Sequence, residues 1–370
     1  MRVLFAPDAF KGTADAATAA EALAAGWLSV RPQDEAVVMP LADGGEGTLA
    51  AVARAVPAAV HVPTAAVPGP NGRPVQGAWL RLPDGTGVVE LAEVSGLPLL
   101  DRPDPLGAHT AGLGAVMAEA LRSGATALVV AVGGSASTDG GTGALRALGA
   151  RFLDDTGAEL PLGGGALARL ATADLSALVP APPGGIQVLT DVRNPLLGPE
   201  GAARVFGPQK GAAPDDITTL ESGLHRLAGI LGGEPALPGA GAAGGAAYGF
   251  TAAYGATLVP GAARIAEMTG LHAALRRADL VVTGEGRFDA TSLNGKVVGA
   301  VLHATKQASG PPLAVVAGSI ATTPPPGVAA CEDLTVLAGS AAAAQADAPH
   351  WLHRGGAALA ERYNRAPIRP

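Results

Sequence analysis

The feature that most constrains the fold is the stretch 127–143, which reads A-L-V-V-A-V-G-G-S-A-S-T-D-G-G-T-G. Its first six residues are an uninterrupted apolar run of strand length, and a loop of glycines, small hydroxyl side chains and Asp139 follows. The pattern from Thr142 onward predicts a short helix. A buried strand, a glycine-rich turn and a helix N-terminus together form an anion site, because backbone N–H groups point outward there. The same stretch is equally compatible with a tight turn that binds nothing.

Short apolar runs alternate with helical patterns along the rest of the chain. Strands are predicted at 3–6, 36–39, 79–82, 88–92, 127–132, 186–190, 279–283, 313–317 and 334–337, and the clearest helices at 14–27 and 351–362. The strands at 79–82 and 88–92 are expected to form a hairpin around Asp84-Gly85. Residues 57–76 are rich in proline and glycine and are predicted to cross into a second domain. This alternation is typical of an α/β protein with largely parallel sheets.

Composition limits the function classes. A chain of 370 residues is expected to form two domains, and 48% apolar with 15% charged residues excludes a disordered chain. The net charge of −7 argues against nucleic acid as a partner. The single cysteine, Cys331, excludes an internal disulfide and a cysteine-based metal site. No run approaches the roughly 20 apolar residues that span a bilayer. We therefore expect a soluble cytosolic enzyme with no membrane partner.

The lysines are few and unusually placed. Only four of the 25 basic residues are lysine, and three of them, Lys11, Lys210 and Lys296, are adjacent to a glycine. Lysine is a compact charge on a flexible stem, which suits phosphate oxygens. The alternative is that all three are solvated surface residues.

Acidic residues recur directly after the predicted strands: Asp8, Asp43, Glu46, Asp139, Asp191, Glu285 and Asp289. Carboxylates and lysines on converging loops are the groups that magnesium-assisted phosphoryl transfer requires. Some of these acids are also explained as helix caps or turn formers, and that explanation is strongest for Asp43 and Asp139.

Several familiar sites are missing from the sequence. It has no Walker A motif, no protein-kinase motif set, no histidine spacing typical of zinc and no G-x-S-x-G elbow. Gly239, Gly241 and Gly244 spell G-x-G-x-x-G, but Pro238 precedes them where a strand is required. A dinucleotide-dependent dehydrogenase is therefore disfavoured.

An ordered set of segments resembles the bacterial glycerate kinase family, of the glycerate 2-kinase type. The segments are A-P-D-A-F-K at 6–11, P-L-A-D-G-G-E-G-T at 40–48, V-G-G-S-A-S-T-D-G-G at 132–141, D-V-R-N-P-L-L-G-P-E-G-A at 191–202, F-G-P-Q-K-G-A at 206–212, G-A-G-A-A-G-G at 239–245, and T-G-E-G-R-F-D at 283–289 with G-K at 295–296. Each is weak alone, whereas the ordered set is specific and spans residues 1 to about 320.

The resemblance implies ATP- and Mg²⁺-dependent phosphorylation of D-glycerate at the 2-hydroxyl, giving 2-phosphoglycerate and ADP. It also implies two α/β domains. Residues 1–65 and 285–370 are expected to form a discontinuous Rossmann- or flavodoxin-like domain with a mostly parallel sheet. Residues 66–284 are expected to form an inserted α/β domain, with the active site in the cleft between them.

Site residues follow from the resemblance together with the chemistry of the reaction. Asp191 is the first candidate for general base or magnesium ligand, Asp8 is its rival, and Lys11 joins them as a catalytic candidate. Arg287 is the candidate for the glycerate carboxylate, with Arg193 as second choice. The remaining candidates are Gly133, Gly134, Ser135, Lys210, Lys296, Asp43, Gly44 and Gly45 for substrate or phosphate, and Glu285 and Asp289, with Asp191, for Mg²⁺.

Three positions depart from the family pattern and leave individual contacts open: Ala9 stands where serine is frequent, Thr138 where asparagine is frequent, and Thr291 near a frequent glutamine. Two functional alternatives also remain open at this point. One is phosphorylation at the 3-position, and the other is a non-catalytic two-domain protein that binds small acids. The sequence specifies neither the phosphorylated position nor the number of subunits.

Overall fold

A computed structural model describes residues 1–293, 295–308 and 310–365, and within them the α/β architecture is confirmed. The strands are Arg2–Phe5 (β1), Glu35–Val38 (β2), Val60–Pro63 (β3), Val67–Pro68 (β4), Pro74–Val75 (β5), Ala78–Arg81 (β6), Thr86–Glu90 (β7), Ala127–Ala131 (β8), Arg151–Leu153 (β9), Thr172–Asp174 (β10), Ile186–Leu189 (β11), Thr257–Val259 (β12), Leu280–Phe288 (β13), Leu313–Ile320 (β14) and Val328–Asp333 (β15).

The α-helices are Ala16–Val30 (α1), Thr48–Ala55 (α2), Ala92–Ser95 (α3), Ala111–Arg122 (α4), Thr142–Ala147 (α5), Ala202–Phe206 (α6), Pro214–Leu231 (α7), Ala246–Tyr254 (α8), Gly261–Met268 (α9), Leu271–Leu275 (α10), Val297–Gln307 (α11), Leu334–Ala338 (α12), Ala341–Ala346 (α13) and Ala348–Arg365 (α14). Short 3₁₀ turns occur at Leu97–Leu99, Gly164–Arg169, Pro208–Lys210, Ala242–Gly245 and Ala290–Leu293. Within the described residues, no helix is long and apolar enough to cross a membrane.

The chain divides into two compact units. Unit 1 contains Met1–Asp43, Ala50–Pro57 and Pro260–Pro370, and unit 2 contains Gly44–Leu49 and Ala58–Val259. These junctions differ from those expected from the sequence, at 65/66 and 284/285. The first lies earlier because β3 pairs with β6 of the second sheet. The other lies earlier because β13, which contains residue 285, pairs with β1 of the first sheet.

Unit 1 is built on a five-stranded sheet in the order β15-β14-β13-β1-β2, and every neighbouring pair is parallel. Alternate residues of β1 enter different cores. Val3 and Phe5 pack with α1 and α14, whereas Leu4 packs on the opposite face with α10 and α11. Both faces of the sheet are therefore buried, which explains why its strands read as continuous apolar runs.

Helices α1 and α14 approach closely through two glycines. A side-chain carbon on Gly26 would overlap the carbonyl oxygen of His353, and one on Gly356 would overlap that of Leu23. A larger residue at either position would push the helices apart. The beginning and the end of the described chain are thus packed together within unit 1.

Unit 2 is built on a six-stranded sheet in the order β12-β11-β8-β7-β6-β3. Strands β12, β11, β8 and β7 are parallel, while β7-β6 and β6-β3 are antiparallel. The β6-β7 pair is the hairpin predicted at 79–92. One apolar core packs against this sheet, and its largest buried members include Trp79, Phe152, Tyr248 and Phe250.

Two predicted elements are corrected. Residues 284–288 were expected in a loop, but β13 continues to Phe288 because it pairs with β14 over that length. Residues 334–337 were expected to be a strand, but they belong to helix α12, whose N-terminus is capped by Asp333 accepting from the Val336 N–H. A four-residue apolar run does not distinguish a strand from a short helix.

Candidate functional site

The strand order of the unit 1 sheet reverses at β1. From β1 the chain continues to β2 on one side, and later returns to β13 on the other side of β1. In open α/β sheets, ligands bind beyond the carboxyl ends of the two strands at such a switch point. A ligand of this unit is therefore expected beside the groups that follow β1 and those near the end of β13.

Asp8 lies at this switch point. Its backbone N–H donates to the Gly284 carbonyl at 2.8 Å, and its carboxylate accepts from the Ala9 N–H at 2.7 Å. The residue is only 7% exposed. Burial, followed by the negative charge of Asp43, raises the pKa of Asp8 to about 7, with Glu285 adding a smaller part. A carboxylate held against other acids in this way is poised to bind a cation.

Glu285 is a buried residue of β13, the strand that pairs with β1. Its Oε1 atom has no hydrogen-bond partner within the described part of the chain, and its Oε2 lies 3.8 Å from the Lys296 ammonium. Burial is the main cause that raises the pKa of Glu285. A buried carboxylate oxygen without a donor is costly unless a ligand completes it.

Arg287 and Asp289 lie at the end of the same strand. Arg287 is on β13 rather than in the predicted loop, and its side chain is 70% exposed, with its Nε 3.6 Å from Asp289. The Asp289 carboxylate accepts from the N–H and the hydroxyl of Thr291, a hydrogen-bonded turn whose side-chain bond is the main cause that lowers the Asp289 pKa. Asp289 is thus explained as a turn former, and its assignment to Mg²⁺ receives no support from this geometry.

The three acids predicted to bind Mg²⁺ are divided between the two units. Asp191 belongs to unit 2, while Glu285 and Asp289 belong to unit 1. Among residues 1–293, 295–308 and 310–365, no group of three or more His, Cys, Asp or Glu side chains is arranged to hold a metal ion. Lys11 is exposed, and its charge acts on Asp8 by lowering the Asp8 pKa.

In unit 2, three neighbouring parallel strands end in register. Glu90 on β7 pairs with Ala131 on β8, which pairs in turn with Leu189 on β11. Beyond that row lie the glycine-rich loop that starts at Gly133 and the half-buried Asp191. The carboxyl edge of this sheet therefore brings together two of the loops predicted to carry function.

The glycine-rich loop contacts a second glycine segment, Gly44–Leu49. The Gly133 N–H donates to the Gly44 carbonyl at 3.0 Å. A Cβ atom on Gly133 would lie 2.5 Å from the Cα atom of Gly45, so only glycine permits this approach. The structure therefore joins two stretches that are almost 90 residues apart in the sequence and were both predicted to bind anions.

Inside the loop, the polar side chains bond mainly to the loop itself. The Ser135 hydroxyl accepts from the Ser137 N–H at 3.2 Å, and Ser135 is buried. Asp139 accepts four hydrogen bonds, from the N–H and hydroxyl of Thr110 and from the N–H groups of Gly141 and Gly143. Asp139 therefore stabilises the turn, which agrees with the alternative that it is a helix cap or turn former.

Lys210 lies beneath this loop. It is 3% exposed, and its ammonium donates to the Ser137 carbonyl. Burial lowers the Lys210 pKa to about 8, and the charge of Asp139 opposes that shift. Next to Ser137, the Thr138 hydroxyl is buried with no hydrogen-bond partner among the described residues. A lysine that was expected to reach phosphate directly is instead bound to the backbone of the loop.

Glu90 is not among the site residues predicted from the sequence. Its two carboxylate oxygens accept from the N–H groups of Gly47 at 2.9 Å and Leu49 at 3.0 Å. It is 3% exposed, and burial raises its pKa to about 7. A signal was present, because an acid interrupts an otherwise apolar predicted strand at 88–92.

Known proteins resemble this chain along most of its length. A model of the glycerate kinase family matches residues 3–364. A glycerate kinase of Bacillus subtilis (strain 168) is 40% identical over 86% of this chain and 85% of its own. A glycerate 2-kinase of Escherichia coli (strain K12) is 39% identical over 86% of each. A crystal structure from Salmonella typhimurium LT2, described as that of a candidate glycerate kinase 2, has a TM-score of 0.81 at 34% identity and covers 99% of this chain and 98% of its own.

Proposed function

Because this chain belongs to the glycerate kinase family, we propose that it transfers the γ-phosphoryl group of ATP to the 2-hydroxyl group of D-glycerate, with 2-phosphoglycerate and ADP as products. The observation that carries the proposal is the family match over residues 3–364. A match of that extent favours an enzyme over a non-catalytic protein that binds small acids. The transition state of phosphoryl transfer is loose, so the protein acts mainly by positioning and charge stabilisation.

Unit 1 supplies the groups for the nucleotide phosphates and their cation in this proposal. Mg²⁺ prefers oxygen ligands and keeps several waters, so one or two carboxylates are sufficient to bind it together with phosphate oxygens. Asp8 fits that requirement, and so does the Oε1 atom of Glu285, which has no hydrogen-bond partner in the part of the chain that the structure describes. When bound, Mg²⁺ neutralises charge that develops on the transferring phosphoryl group. Lys11 and Lys296 are proposed to bind phosphate oxygens beside these acids.

Asp191 is the proposed general base, which accepts the proton of the attacking hydroxyl. Asp8 is the rival, since a pKa of about 7 suits a general base at neutral pH. We favour Asp191 because part of the raised pKa of Asp8 comes from Asp43 and Glu285, and a bound cation would remove that repulsion. Asp8 would then be ionised as a ligand rather than available as a base.

Arg287 is proposed to bind the glycerate carboxylate, since its guanidinium is largely exposed on β13. Arg193 remains the second choice. The backbone of the glycine-rich loop, with Ser135, is proposed to bind the other anionic oxygens. Lys210 is proposed to keep that loop in shape, because its buried ammonium already bonds to the Ser137 carbonyl.

ADP release tests the activity. Purified protein with ATP, Mg²⁺ and D-glycerate is expected to release ADP faster than the same mixture without glycerate or with L-glycerate. Release at the rate of the glycerate-free control would contradict the kinase proposal.

The position of the phosphoryl group is tested on the product. Phosphorus NMR distinguishes 2-phosphoglycerate from 3-phosphoglycerate, and enolase accepts only the former. We expect enolase to consume the product without added phosphoglycerate mutase. A product consumed only after the mutase is added would assign the enzyme as a 3-kinase.

A further inference from the structure

Segment 44–49 is fixed by two separate contacts with the carboxyl edge of the unit 2 sheet. At one end, the Gly133 N–H donates to the Gly44 carbonyl at 3.0 Å. At the other end, the Glu90 carboxylate accepts from the N–H groups of Gly47 and Leu49. Glu90 and Ala131 are paired neighbours on β7 and β8, so both contacts originate from adjacent strand ends.

The Glu90 contact uses both carboxylate oxygens. Oε1 accepts from Gly47 at 2.9 Å, and Oε2 accepts from Leu49 at 3.0 Å. These N–H groups lie at the start of helix α2, where unpaired donors and the helix dipole attract an anion. A side chain of the protein itself therefore occupies the anion position at this helix start, and a substrate anion must use other donors.

Segment 44–49 is also closed on itself. The Thr48 hydroxyl donates to the Gly45 carbonyl at 2.7 Å. Together with the Glu90 and Gly133 contacts, this hydrogen bond holds the backbone of the segment in place against the glycine-rich loop. Glu90, which makes two of these contacts, lies on β7 and belongs to none of the glycine-rich motifs.

We propose that Glu90 is a positioning residue for the phosphoryl transfer reaction, acting through the backbone of segment 44–49 without contacting substrate. This inference rests on the proposed function, because segment 44–49 is a candidate for substrate binding. An ionised carboxylate is required for two acceptors, since protonation places a hydrogen on one oxygen opposite an N–H donor. The acids that face Glu90, Glu93 and Glu46, both oppose its ionisation.

The first test is steady-state kinetics of Glu90→Gln, which turns one acceptor into an NH₂ donor opposite an N–H group. We expect kcat/KM for glycerate to fall about tenfold or more at about pH 8, and by less at about pH 6, where the wild type is itself partly protonated. Glu90→Asp keeps the charge and should recover part of the loss. Glu93→Gln removes a charge three residues away and should stay within about twofold of the wild type.

A purely structural role for Glu90 would lower the melting temperature and leave the kinetics of the folded enzyme unchanged. Equal kcat/KM in Glu90→Gln and the wild type at about pH 8, or identical pH profiles, would therefore overturn the inference.

Hydrogen exchange read by mass spectrometry tests the same link without any activity. At about pH 8, peptides that cover segment 44–49 should lose protection in Glu90→Gln relative to the wild type, while peptides of β13 should not. Glu90→Gln should exchange about tenfold faster in segment 44–49 at about pH 8.

Unchanged protection of segment 44–49 in Glu90→Gln would overturn the positioning role even if the kinase activity is found. Changed protection in a protein without kinase activity would instead keep the backbone link and overturn only the proposed function. If Glu90→Gln fails to fold, Glu90→Asp takes its place in both measurements, because its shorter side chain does not reach both N–H groups equally well and should give a smaller loss of the same kind.

Discussion

In unit 1, Asp8 follows β1 and Glu285 lies on the neighbouring strand β13. The two charges repel one another, and the Oε1 atom of Glu285 has no hydrogen-bond partner among the described residues. In unit 2, the carboxylates of Glu90 and Asp139 are as deeply buried, but they accept two and four hydrogen bonds respectively. Both pairs stand at the carboxyl edge of a largely parallel sheet or in the loop that follows it. Position in the fold is therefore similar, and the difference lies in what satisfies the charge.

That difference separates charges that we propose to bind ligands from charges that stabilise loops. In unit 2 the donors are backbone N–H groups and the Thr110 hydroxyl, and the carboxylates stabilise loops. The Lys210 ammonium also stabilises a loop, by donating to the Ser137 carbonyl. In unit 1 the Oε1 atom of Glu285 has no donor among the described residues, so a cation or its ligand is needed to complete it. We therefore expect substrates to perturb the charges of unit 1 more than those of unit 2.

The largest expected effect tests which unit supplies the base. Asp191→Asn is expected to lower kcat by roughly two to four orders of magnitude, because the attacking hydroxyl then keeps its proton. The measurement is ADP release at saturating substrates, with Asp8→Asn as the paired variant. A near-normal kcat in Asp191→Asn with a large loss in Asp8→Asn would move the base to unit 1 and break the comparison.

The next effect is on the stability of unit 1. The pKa of Asp8 is raised to about 7 in the folded protein, so the folded state holds the proton more tightly than the unfolded chain does. Stability from this group is full at low pH and is lost as pH rises towards about 7. Asp8→Asn should therefore gain stability relative to the wild type, by a few kcal/mol, between about pH 5 and about pH 8.

Urea unfolding at the two pH values measures this gain, and Glu361→Gln, which neutralises an exposed acid, is the control. A constant difference between Asp8→Asn and the wild type would mean that the pKa of Asp8 is not raised in the folded protein.

Lys210 of unit 2 should give a slope of the opposite sign. Its pKa is lowered to about 8 by burial, so above that value the folded protein releases a proton that the unfolded chain still holds. The wild type should therefore gain stability between about pH 8 and about pH 10. Lys210→Met lacks that gain, and Lys306→Met, which removes an exposed lysine, should keep it. Parallel slopes for the wild type and Lys210→Met would contradict a buried, charged Lys210.

Gly133→Ala tests whether the two glycine segments of unit 2 must touch. The added methyl group would lie 2.5 Å from the Cα atom of Gly45, so the backbones must separate. We expect a stability loss of about 1–3 kcal/mol and a clear drop in kcat/KM. Thermal unfolding and ADP release measure the two effects. Loss of stability with unchanged kcat/KM would show that the contact serves folding alone.

The smallest effect is expected for Gly229→Ala, on the exposed side of α7. A Cβ atom there meets nothing within 4 Å, and alanine favours the helix. The variant should be more stable by about 0.5–1 kcal/mol, with unchanged kinetics. A destabilised variant would indicate that this glycine is constrained in a way that the helix does not reveal.

Much of the architecture was predictable because each strand end carried its own local signal. Apolar runs followed by glycine and an acid located β1, β2, β8 and β11, and the glycine-adjacent lysines drew attention to the loops around them. The β13 extension was not predictable in this way, since T-G-E-G-R-F reads as a loop until its pairing with β14 is known.

The roles of individual charges were less predictable because they depend on distant partners. Glu90 acts on Gly47 and Leu49, about 40 residues earlier, and Lys210 acts on Ser137. No local pattern distinguishes a lysine that binds phosphate from one that bonds to a buried carbonyl. Both contacts depend on the tertiary fold, and for Glu90 on the position of β7 within the whole sheet.

The placement of β1 between β2 and β13 has a consequence for synthesis on the ribosome. Residues 58–259, which form nearly all of unit 2, emerge as one continuous stretch, so this unit is able to complete its sheet early. Val3, by contrast, pairs with Leu280, and α1 packs against α14 at the other end of the described chain. Strand β1 and helix α1 are therefore made before unit 2 but find β13 and α14 only after it, and their apolar surfaces depend long on protection from aggregation.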